Sequence, residues 1–287
     1  MRERNTVLTN SRSLLFWLLI VSVFMGNALT SCAVHMNYLE TDAPKYREDL
    51  ADPSPRFQDT LTVVTFNIAY AKEIDLAIEE LCSSPRLRDA DVILLQEMDL
   101  EGTQKIARTL KYNYVYYPAV IHPRYNKKFG NAILSRWPIT DEAKILLPHE
   151  NPVRKQRRIA VSATITIENK PIKIVNVHNE TILLRRTKKL DQVDALVEYI
   201  SRGQEADYMI VGGDFNTVGQ KEISTVAGRF EPLGLVLATA SVGMTSKIFL
   251  RLDHIYTKGL RVIDAGKQKP TRASDHFPVW IQVERPS

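Results

Sequence analysis

The stretch YMIVGGDFNTVG, Tyr208 to Gly219, changes character in its middle. Met209, Ile210 and Val211 make a short apolar run, the mark of a strand covered on both faces. Gly212 and Gly213 follow, and polarity then switches on with Asp214 and Asn216 either side of Phe215. Three readings are open: a glycine loop that cradles phosphate, a plain turn, or a strand end that delivers a carboxylate and an amide to a cleft. The pattern on either side decides between them.

Upstream, LTVVTFNIAY (Leu61–Tyr70) is a β-branched apolar strand that ends near Asn67. EIDLAIEELC (Glu73–Cys82) spaces Ile74, Ile78 and Leu81 as a helix does, and DVILLQEMD (Asp91–Asp99) is another strand covered on both faces. GTQKIARTL (Gly102–Leu110) predicts a short helix, and YNYVYYPAV (Tyr112–Val120) and GNAILSRWPI (Gly130–Ile139) predict strands, the second closed by a proline. RIAVSATITIENKPIKIVNVHNE (Arg158–Glu180) reads as two strands joined by a hairpin at ENKP. RRTKKLDQVDALVEYI (Arg185–Ile200) puts Leu190, Val193, Val197 and Ile200 on one helical face. After DYMIV come the strands RLDHIYTK (Arg251–Lys258) and DHFPVWIQV (Asp275–Val283). Strands outnumber helices and hairpins alternate with crossovers, so the expected class is mixed α/β, with sheet packed on sheet and helices outside. G-x-G-x-x-G and G-x-x-x-x-G-K-[ST] do not occur, which removes the usual phosphate loops.

Ionisable and amide residues close or open these apolar runs: Asn67, Glu97, His178, Asp214, Asn216, Asp253, Asp275 and His276. Any one of them is an ordinary strand terminator. Together they mark a cleft, because neighbouring strands bring such ends side by side. Carboxylates, an amide and imidazoles without cysteine suit a hard divalent cation, Mg²⁺ or Mn²⁺. Zinc and serine-nucleophile chemistry lack their signatures, H-E-x-x-H and G-x-S-x-G. Metal, carboxylate and imidazole together suit in-line displacement at phosphorus.

In this order, TFNI, LLQEMD, NVHNE, GGDFNT, LDHIY and SDHFPV resemble the endonuclease/exonuclease/phosphatase superfamily, from about Leu61 to Val283. The resemblance implies a four-layer α/β sandwich of two mixed β-sheets flanked by helices. It implies that Glu97 is the main Mg²⁺ ligand, that Asn67 helps hold the metal and its water, and that Asp275 is a metal-side or imidazole-side carboxylate. Asp214 would position or deprotonate the attacking water, Asn216 would bind the phosphate, and His276 would contact the scissile phosphate. Asp253 would orient His276, and His178 would stand near the leaving group. Which group is the acid and which the base stays open.

The N-terminus is of another kind. Arg2, Arg4 and Arg12 precede the apolar run Leu14–Met25, and Leu29-Thr30-Ser31-Cys32 resembles the lipobox of bacterial lipoprotein precursors, with Cys32 as the acylated residue. An ordinary cleaved signal, or an anchor helix extended through Asn27, is the alternative. Residues 1–31 thus form a signal peptide, 32–58 a polar, proline-containing tether, and 59–287 the catalytic domain. Two cysteines make no disulfide scaffold, and Cys82 in AIEELCSS reads as a small buried hydrophobe. The net charge is +5; residues 1–31 carry three arginines and one glutamate, which leaves +3 from Cys32 onward. That is too mild to argue for nucleic acid. Basic clusters are local: Pro123–Lys128, Arg154–Arg158 and Arg185–Lys189. Arg157 or Arg158 would reach a substrate phosphate, or else sit in a solvated loop. Tyr112, Tyr114, Tyr116 and Tyr117 read as strand residues split between core and surface, with base stacking the alternative. His254 is expected to pack or face solvent, and His122 and His149 carry no motif.

The resulting expectation is an exported, membrane-tethered, Mg²⁺-dependent phosphodiesterase, a monomer acting on phospholipid head groups. An exported nuclease is the alternative. An inositol-type phosphatase, whose family motifs are the same, is the less expected alternative, and an inactive binding module is disfavoured because every expected catalytic position is filled.

Overall fold

The computed structural model describes residues 36–52, 59–122, 125–181 and 183–284. The strands are β1 Tyr46–Glu48, β2 Thr60–Asn67, β3 Val92–Met98, β4 Asn113–His122, β5 Lys127–Ser135, β6 Ile139–Glu150, β7 Arg157–Ile167, β8 Lys170–His178, β9 Tyr208–Asp214, β10 Val236–Leu237, β11 Asp253–Lys258, β12 Val262–Lys267 and β13 Val279–Glu284. The α-helices are α1 Ile74–Ser83, α2 Leu100–Leu110, α3 Arg186–Arg202 and α4 Gln220–Phe230. One sheet has the order β1-β4-β5-β3-β2-β13-β12 and the other β10-β11-β9-β8-β7-β6. β2 pairs with β3 in parallel and β8 with β9 in parallel, while the remaining described pairings are antiparallel.

Alternation along each strand sorts its side chains between layers. Val63, Leu94, Ile133, Ile174, Ile210 and Ile255 meet between the sheets. Val64, Phe66, Ile93 and Leu95 turn the other way and bury Ala77 and Leu81 of α1 and Ile106 of α2. Val175, Val177 and Val211 do the same for the second sheet, under Val193 and Leu196 of α3 and Val226 and Phe230 of α4. The result is four layers, helix, sheet, sheet, helix, as the sequence implies.

Several local expectations fail for readable reasons. Cys82 is exposed, since it follows the buried Leu81 by one residue and so points about a quarter turn away. Tyr112, Tyr114, Tyr116 and Tyr117 are all buried, not split between core and surface, because β4 is covered by helix on one face and by the second sheet on the other. β6 escapes a period-two reading because its pairing slips between Thr140 and Ala143 and again between Leu146 and Glu150. The closing strand starts at Val279, later than expected, with Asp275–Pro278 left as a loop. Residues 36–52 do not behave as a tether: Asn37 bridges to Val120, and β1 pairs Tyr46 with Tyr116, so the folded domain begins near Met36 rather than at 59. The leader, the lipobox and Cys32 lie outside the described residues. Among the described residues, no helix is long and apolar enough to cross a membrane.

Gly213 is the position in the opening stretch where glycine is required. Its φ is 144°, and a Cβ there would stand 2.0 Å from the Val177 carbonyl oxygen of the neighbouring strand. Gly213→Ala is therefore expected to cost about 3 kcal/mol or more, read as a drop in the denaturation midpoint.

Candidate active site

The two parallel pairs run the same way to one end of the sandwich. Asn67 ends β2, His178 ends β8 and Asp214 ends β9. His178 is in register with Asp214. β11 runs antiparallel to β9 and begins with Asp253 opposite Asp214, so Asp253 arrives at the same end. β13 pairs Val279 with Thr65 of β2, and the loop before it brings Asp275 and His276 there as well. Parity then aims the side chains. Asn67 shares a face with Val63, His178 with Ile174, Asp214 with Ile210 and Asp253 with Ile255, all between the sheets. At this end the inter-sheet core turns polar. Its floor is an amide pair: Gln96 Nε2 donates to Asn176 Oδ1 at 2.7 Å, and Asn176 Nδ2 donates to the Leu95 and Ala132 carbonyls at 2.9 and 2.8 Å.

Glu97 breaks the parity. Strict alternation would send it with Ile93 and Leu95 toward the helices. A bulge in β3 between Leu95 and Met98, with Glu97 itself at φ 59°, turns its carboxylate into the cleft instead. Tyr70 N donates to Glu97 Oε2 at 3.1 Å, from a turn in which Ala69, Tyr70 and Ala71 all have positive φ.

Asp214 sits at the centre. Its Oδ1 accepts from Asn216 N at 2.9 Å and its Oδ2 from Asn67 Nδ2 at 3.0 Å. His178 Nε2 stands 3.6 Å from Asp214 Oδ2 and 3.8 Å from Glu97 Oε1, and His276 Nε2 stands 3.9 Å from Asp214 Oδ2. His276 Nδ1 is held by Asp253 Oδ2 at 3.0 Å, and Thr245 Oγ1 donates to that same oxygen at 2.7 Å. Asn216, at φ 50°, turns its amide back to donate to the Asn179 carbonyl at 2.9 Å. Asp275 is exposed at the mouth, with Ser274 tying the loop to the Asn67 carbonyl at 2.7 Å. Thus Asn67, Glu97, His178, Asp214, Asn216, Asp253, Asp275 and His276 converge, and the seam of carboxylate, amide and imidazole matches one family. Residues 64–276 match the endonuclease/exonuclease/phosphatase family.

The chain belongs to that family. Escherichia coli K12 YbhP, an uncharacterised protein, is 25% identical over 264 residues, covering 80% of this chain and 99% of its own. A protein of Vibrio vulnificus YJ016, UPF0294 protein VV2535, is 31% identical over 116 residues, 40% of each chain. Among solved structures, zebrafish (D. rerio) TDP2 complexed with a single-strand DNA product superposes with TM-score 0.65 at 17% identity, covering 79% of this chain and all of that one. The human Nocturnin catalytic domain with bound sulfate gives TM-score 0.64 at 20% identity, covering 84% and 97%. These structural likenesses establish the shared fold.

The electrostatics of this endonuclease/exonuclease/phosphatase site separate its two histidines. Burial and the positive charges of Arg158 and His276 hold His178 well below the usual imidazole range, so it is neutral. Burial also works against a charged His276, but the carboxylates of Asp253, Asp214 and Asp275 outweigh it and lift that imidazole to about 10. Burial raises the Asp214 carboxyl to about 7; Asp253 adds to this, while His276 and the donors from Asn216 and Asn67 oppose it. A neutral imidazole, an imidazolium and a carboxylate near neutrality are what separated acid and base roles need.

Two sets of groups at this end could hold a cation. Asp214, Asp253 and His276 offer ligand atoms within 4.8 Å of one another. That set is already spent internally: Asp253 binds His276 and Thr245, and His276 is the cation there. The second set is Glu97, Asn67 and Asp275, where single donors, Tyr70 N, Ala69 N and Ser274 Oγ, take one lone pair of Glu97 Oε2, Asn67 Oδ1 and Asp275 Oδ1 and leave others for a cation. The ligand atoms are all oxygen, as Mg²⁺ or Mn²⁺ prefers. Burial lifts the Glu97 carboxyl above its ordinary range, the charge of Asp275 lifts it further, and Arg158 and His276 pull the other way. Beside it, the buried His178 Nε2 has no hydrogen-bond partner among the described residues, though it points between Glu97 and Asp214. The pocket between these three groups is built for something polar.

The basic cluster 154–158 resolves into two different arginines. Arg157 is half-buried and pairs with Glu150 at 3.4 Å, away from the centre. Arg158 is buried, with Nε 3.3 Å from Glu180 Oε2 and Nη1 3.4 Å from His178 Nδ1. Glu180 is the partner that motif reading passed over: it also accepts from Asn151 Nδ2 at 3.0 Å and Thr181 N at 2.8 Å. The charge of Arg158 and these donors overcome burial and keep its carboxyl below the ordinary range. The only signal in the sequence was its place two residues after His178. His254 packs fully buried against Thr217 at 2.8 Å, and His149 pairs with Asp191 at 2.7 Å away from the site.

His254 gives a stability prediction. Burial first, then the charge of Arg251, push it down to about 3, against a bond to the Arg251 backbone. The unfolded chain protonates this imidazole near pH 6.5 and the folded chain does not. Its contribution to stability is therefore complete above pH 6.5 and lost as pH falls toward 3. At about 1.4 kcal/mol per unit, the midpoint of thermal unfolding should drop by about 10 °C between pH 6.5 and 4. His254→Gln, which keeps a partner for Thr217 but cannot titrate, should flatten that slope.

Proposed function

We propose that the protein is a metal-dependent phosphodiesterase that cleaves by in-line attack of water, works as a monomer, and is held at a cell-envelope membrane outside the cytoplasm by an acylated Cys32. The observation that carries the reading is Asp214, which holds two hydrogen bonds while facing both a neutral and a cationic imidazole. The phosphoester is placed by Asn216 and His276. Asp214 orients the water and takes its proton. His276, kept charged and aligned by Asp253, meets the negative charge that develops on the phosphoryl oxygens. His178 stands on the Glu97 side, where the leaving oxygen departs, with its ring set by Arg158. A Mg²⁺ or Mn²⁺ ion bound by Glu97, Asn67 and Asp275 would neutralise oxyanion charge. Arg158 supports the site from behind, locked to Glu180; Arg157 has no comparable place.

Phospholipid head groups are the favoured substrates, on the strength of the lipobox and the surface described below. A nuclease is the second reading. It is favoured by the TDP2 structure that holds a DNA product, and by the half-exposed rings of Tyr70 and Tyr125, 5.3 Å apart with Lys72 over both. Purified protein with Mg²⁺ should be offered DNA, RNA, sphingomyelin, phosphatidylinositol and simple phosphodiesters. Turnover of the lipids ahead of nucleic acid supports the first reading, and the reverse order supports the second. Failure on all five would contradict the phosphodiesterase assignment. For the anchor, the mature protein taken from membranes should carry a diacylglyceryl mass on an N-terminal Cys32.

A further inference from the structure

The loops at the catalytic end expose apolar side chains that the core does not claim. Phe249 and Ile248 are 76% and 64% exposed on the loop before β11, and Met244 on that loop is 42% exposed. Val153 is 73% exposed on the turn between β6 and β7, Leu183 56% beyond β8 and Val218 44% beyond β9. Isolated exposed apolar residues are ordinary on any surface. Here they occupy four separate loops at the same end, around one mouth.

These loops are tied to the site, not loosely hung. Lys247 N donates to the Asp275 carbonyl at 2.7 Å, and Phe277 N donates to the Thr245 carbonyl at 2.7 Å. The turn that carries Val153 is fixed through Asn151 to Glu180. Phe249 has φ 65°, a backbone conformation costly for an aromatic residue, and still turns its ring to solvent. The same loops carry exposed cations beside the apolar tips: Arg154 and Lys155 follow Val153, Arg185 lies two residues after Leu183, and Lys247 precedes Ile248. The described chain also begins here, since the Asn37 side chain donates to the Lys155 carbonyl and accepts from Arg157 N, both at 2.9 Å. Cys32 lies five residues before Asn37 in the chain.

We propose that this end docks on an anionic lipid surface, with Ile248 and Phe249 entering the interface and Arg154, Lys155, Arg185 and Lys247 meeting headgroup phosphates. Apolar tips gain by leaving water for the headgroup boundary, and adjacent cations add attraction to anionic lipid. A protein partner or a second copy would want a continuous complementary patch. Separated tips with charges beside them match a fluid surface that adapts to relief. The inference deepens the proposed function by turning the catalytic mouth toward phosphodiesters held in that surface, and it rests on that reading only for the substrate.

The test uses the full chain in vesicles of phosphatidylglycerol and phosphatidylcholine that contain nitroxide-labelled lipid. In a background with Cys32→Ser and Cys82→Ser, a fluorophore is attached at Phe249→Cys and, as a control, at Lys170→Cys at the start of β8, beside the hairpin turn at the opposite end. Lipid nitroxide should quench the label at 249 at least fivefold more than the label at 170, and the difference should shrink without phosphatidylglycerol. Equal quenching at the two sites overturns the proposal, as does a label at 249 shielded in lipid-free solution by a second copy, seen by sedimentation. Ile248→Asp with Phe249→Asp should keep hydrolysis of bis(p-nitrophenyl) phosphate within twofold and lower turnover of a vesicle-borne phosphodiester by tenfold or more. An unchanged vesicle rate overturns the docking role. If the wild type turns over neither bis(p-nitrophenyl) phosphate nor any of the other phosphodiesters offered above, the catalytic reading fails, and the quenching result judges docking by itself.

Discussion

Asp214→Asn is expected to lower kcat for phosphodiester hydrolysis by about 10³-fold or more, with KM changed only a few-fold. The substitution preserves size and can keep a hydrogen bond with Asn216 N through its carbonyl oxygen. It removes the carboxylate that the proposed mechanism uses as base, the one set between Asn67, His178 and His276 among the described residues. The loss should therefore appear in the chemical step and not in folding, so the denaturation midpoint should stay near that of the wild type or rise, because a buried carboxylate is replaced by a neutral amide. The wild-type rate should follow a bell in pH, with an acidic limb at or below about 7 from Asp214 and a basic limb near 10 from His276. In the sign of each limb, protonating Asp214 removes the base and deprotonating His276 removes the cation. Stopped-flow or steady-state rates between pH 5 and 10.5 check both the bell and its loss.

His276→Ala should cost about 10² to 10⁴-fold in kcat, because it deletes the imidazolium that the proposed mechanism sets against the phosphoryl oxygens and leaves the buried Asp253 carboxylate with its Thr245 bond but no cation. Asp253→Asn is the companion measurement. Asp253 acts through His276, so this variant should lower kcat less than His276→Ala and should also move the basic limb of the pH profile downward from about 10, since the largest opposing charge is gone. A purely structural role for Asp253 would lower the amount of folded protein and leave that limb in place. The same pair distinguishes His276 from His178. His178 is neutral and set by Arg158, so its replacement should not move the basic limb.

Much of this site could be read before any coordinates, because strands deliver side chains by parity. Once β2, β8, β9 and β11 were placed, Asn67, His178, Asp214 and Asp253 had to share a face with the inter-sheet apolar positions and an end with each other. GGDFNT is thus a strand end, not a phosphate-cradling glycine loop: Gly213 lets β9 lie close to Val177, and Asp214 stands where an apolar residue would otherwise fill the core. What escaped the sequence are departures from parity and contacts between distant segments. Glu97 was named from its motif, but alternation alone would have turned it toward the helices; the bulge at positive φ is what brings it in. Glu180 looks like any acid after a strand until Arg158, 22 residues earlier, is seen against it. The polar segment 36–52 reads as linker by composition, yet the pairing of β1 with β4 makes it part of the domain. Tyr112, Tyr114, Tyr116 and Tyr117 depart from expectation because burial depends on which layers cover an element, and local pattern does not reveal that; Cys82 departs because one residue past Leu81 it is turned off the buried face of α1.

Whether a cation held by Glu97 supports phosphodiester cleavage is decided by stripping the protein with chelator and titrating Mg²⁺ or Mn²⁺ back while bis(p-nitrophenyl) phosphate hydrolysis is followed. The wild type should lose its activity on stripping and recover it saturably with metal. Glu97→Ala should show neither the activity nor the recovery, at an unchanged fold by circular dichroism. Hydrolysis that survives chelation, or that Glu97→Ala carries out at the wild-type rate, would contradict the account.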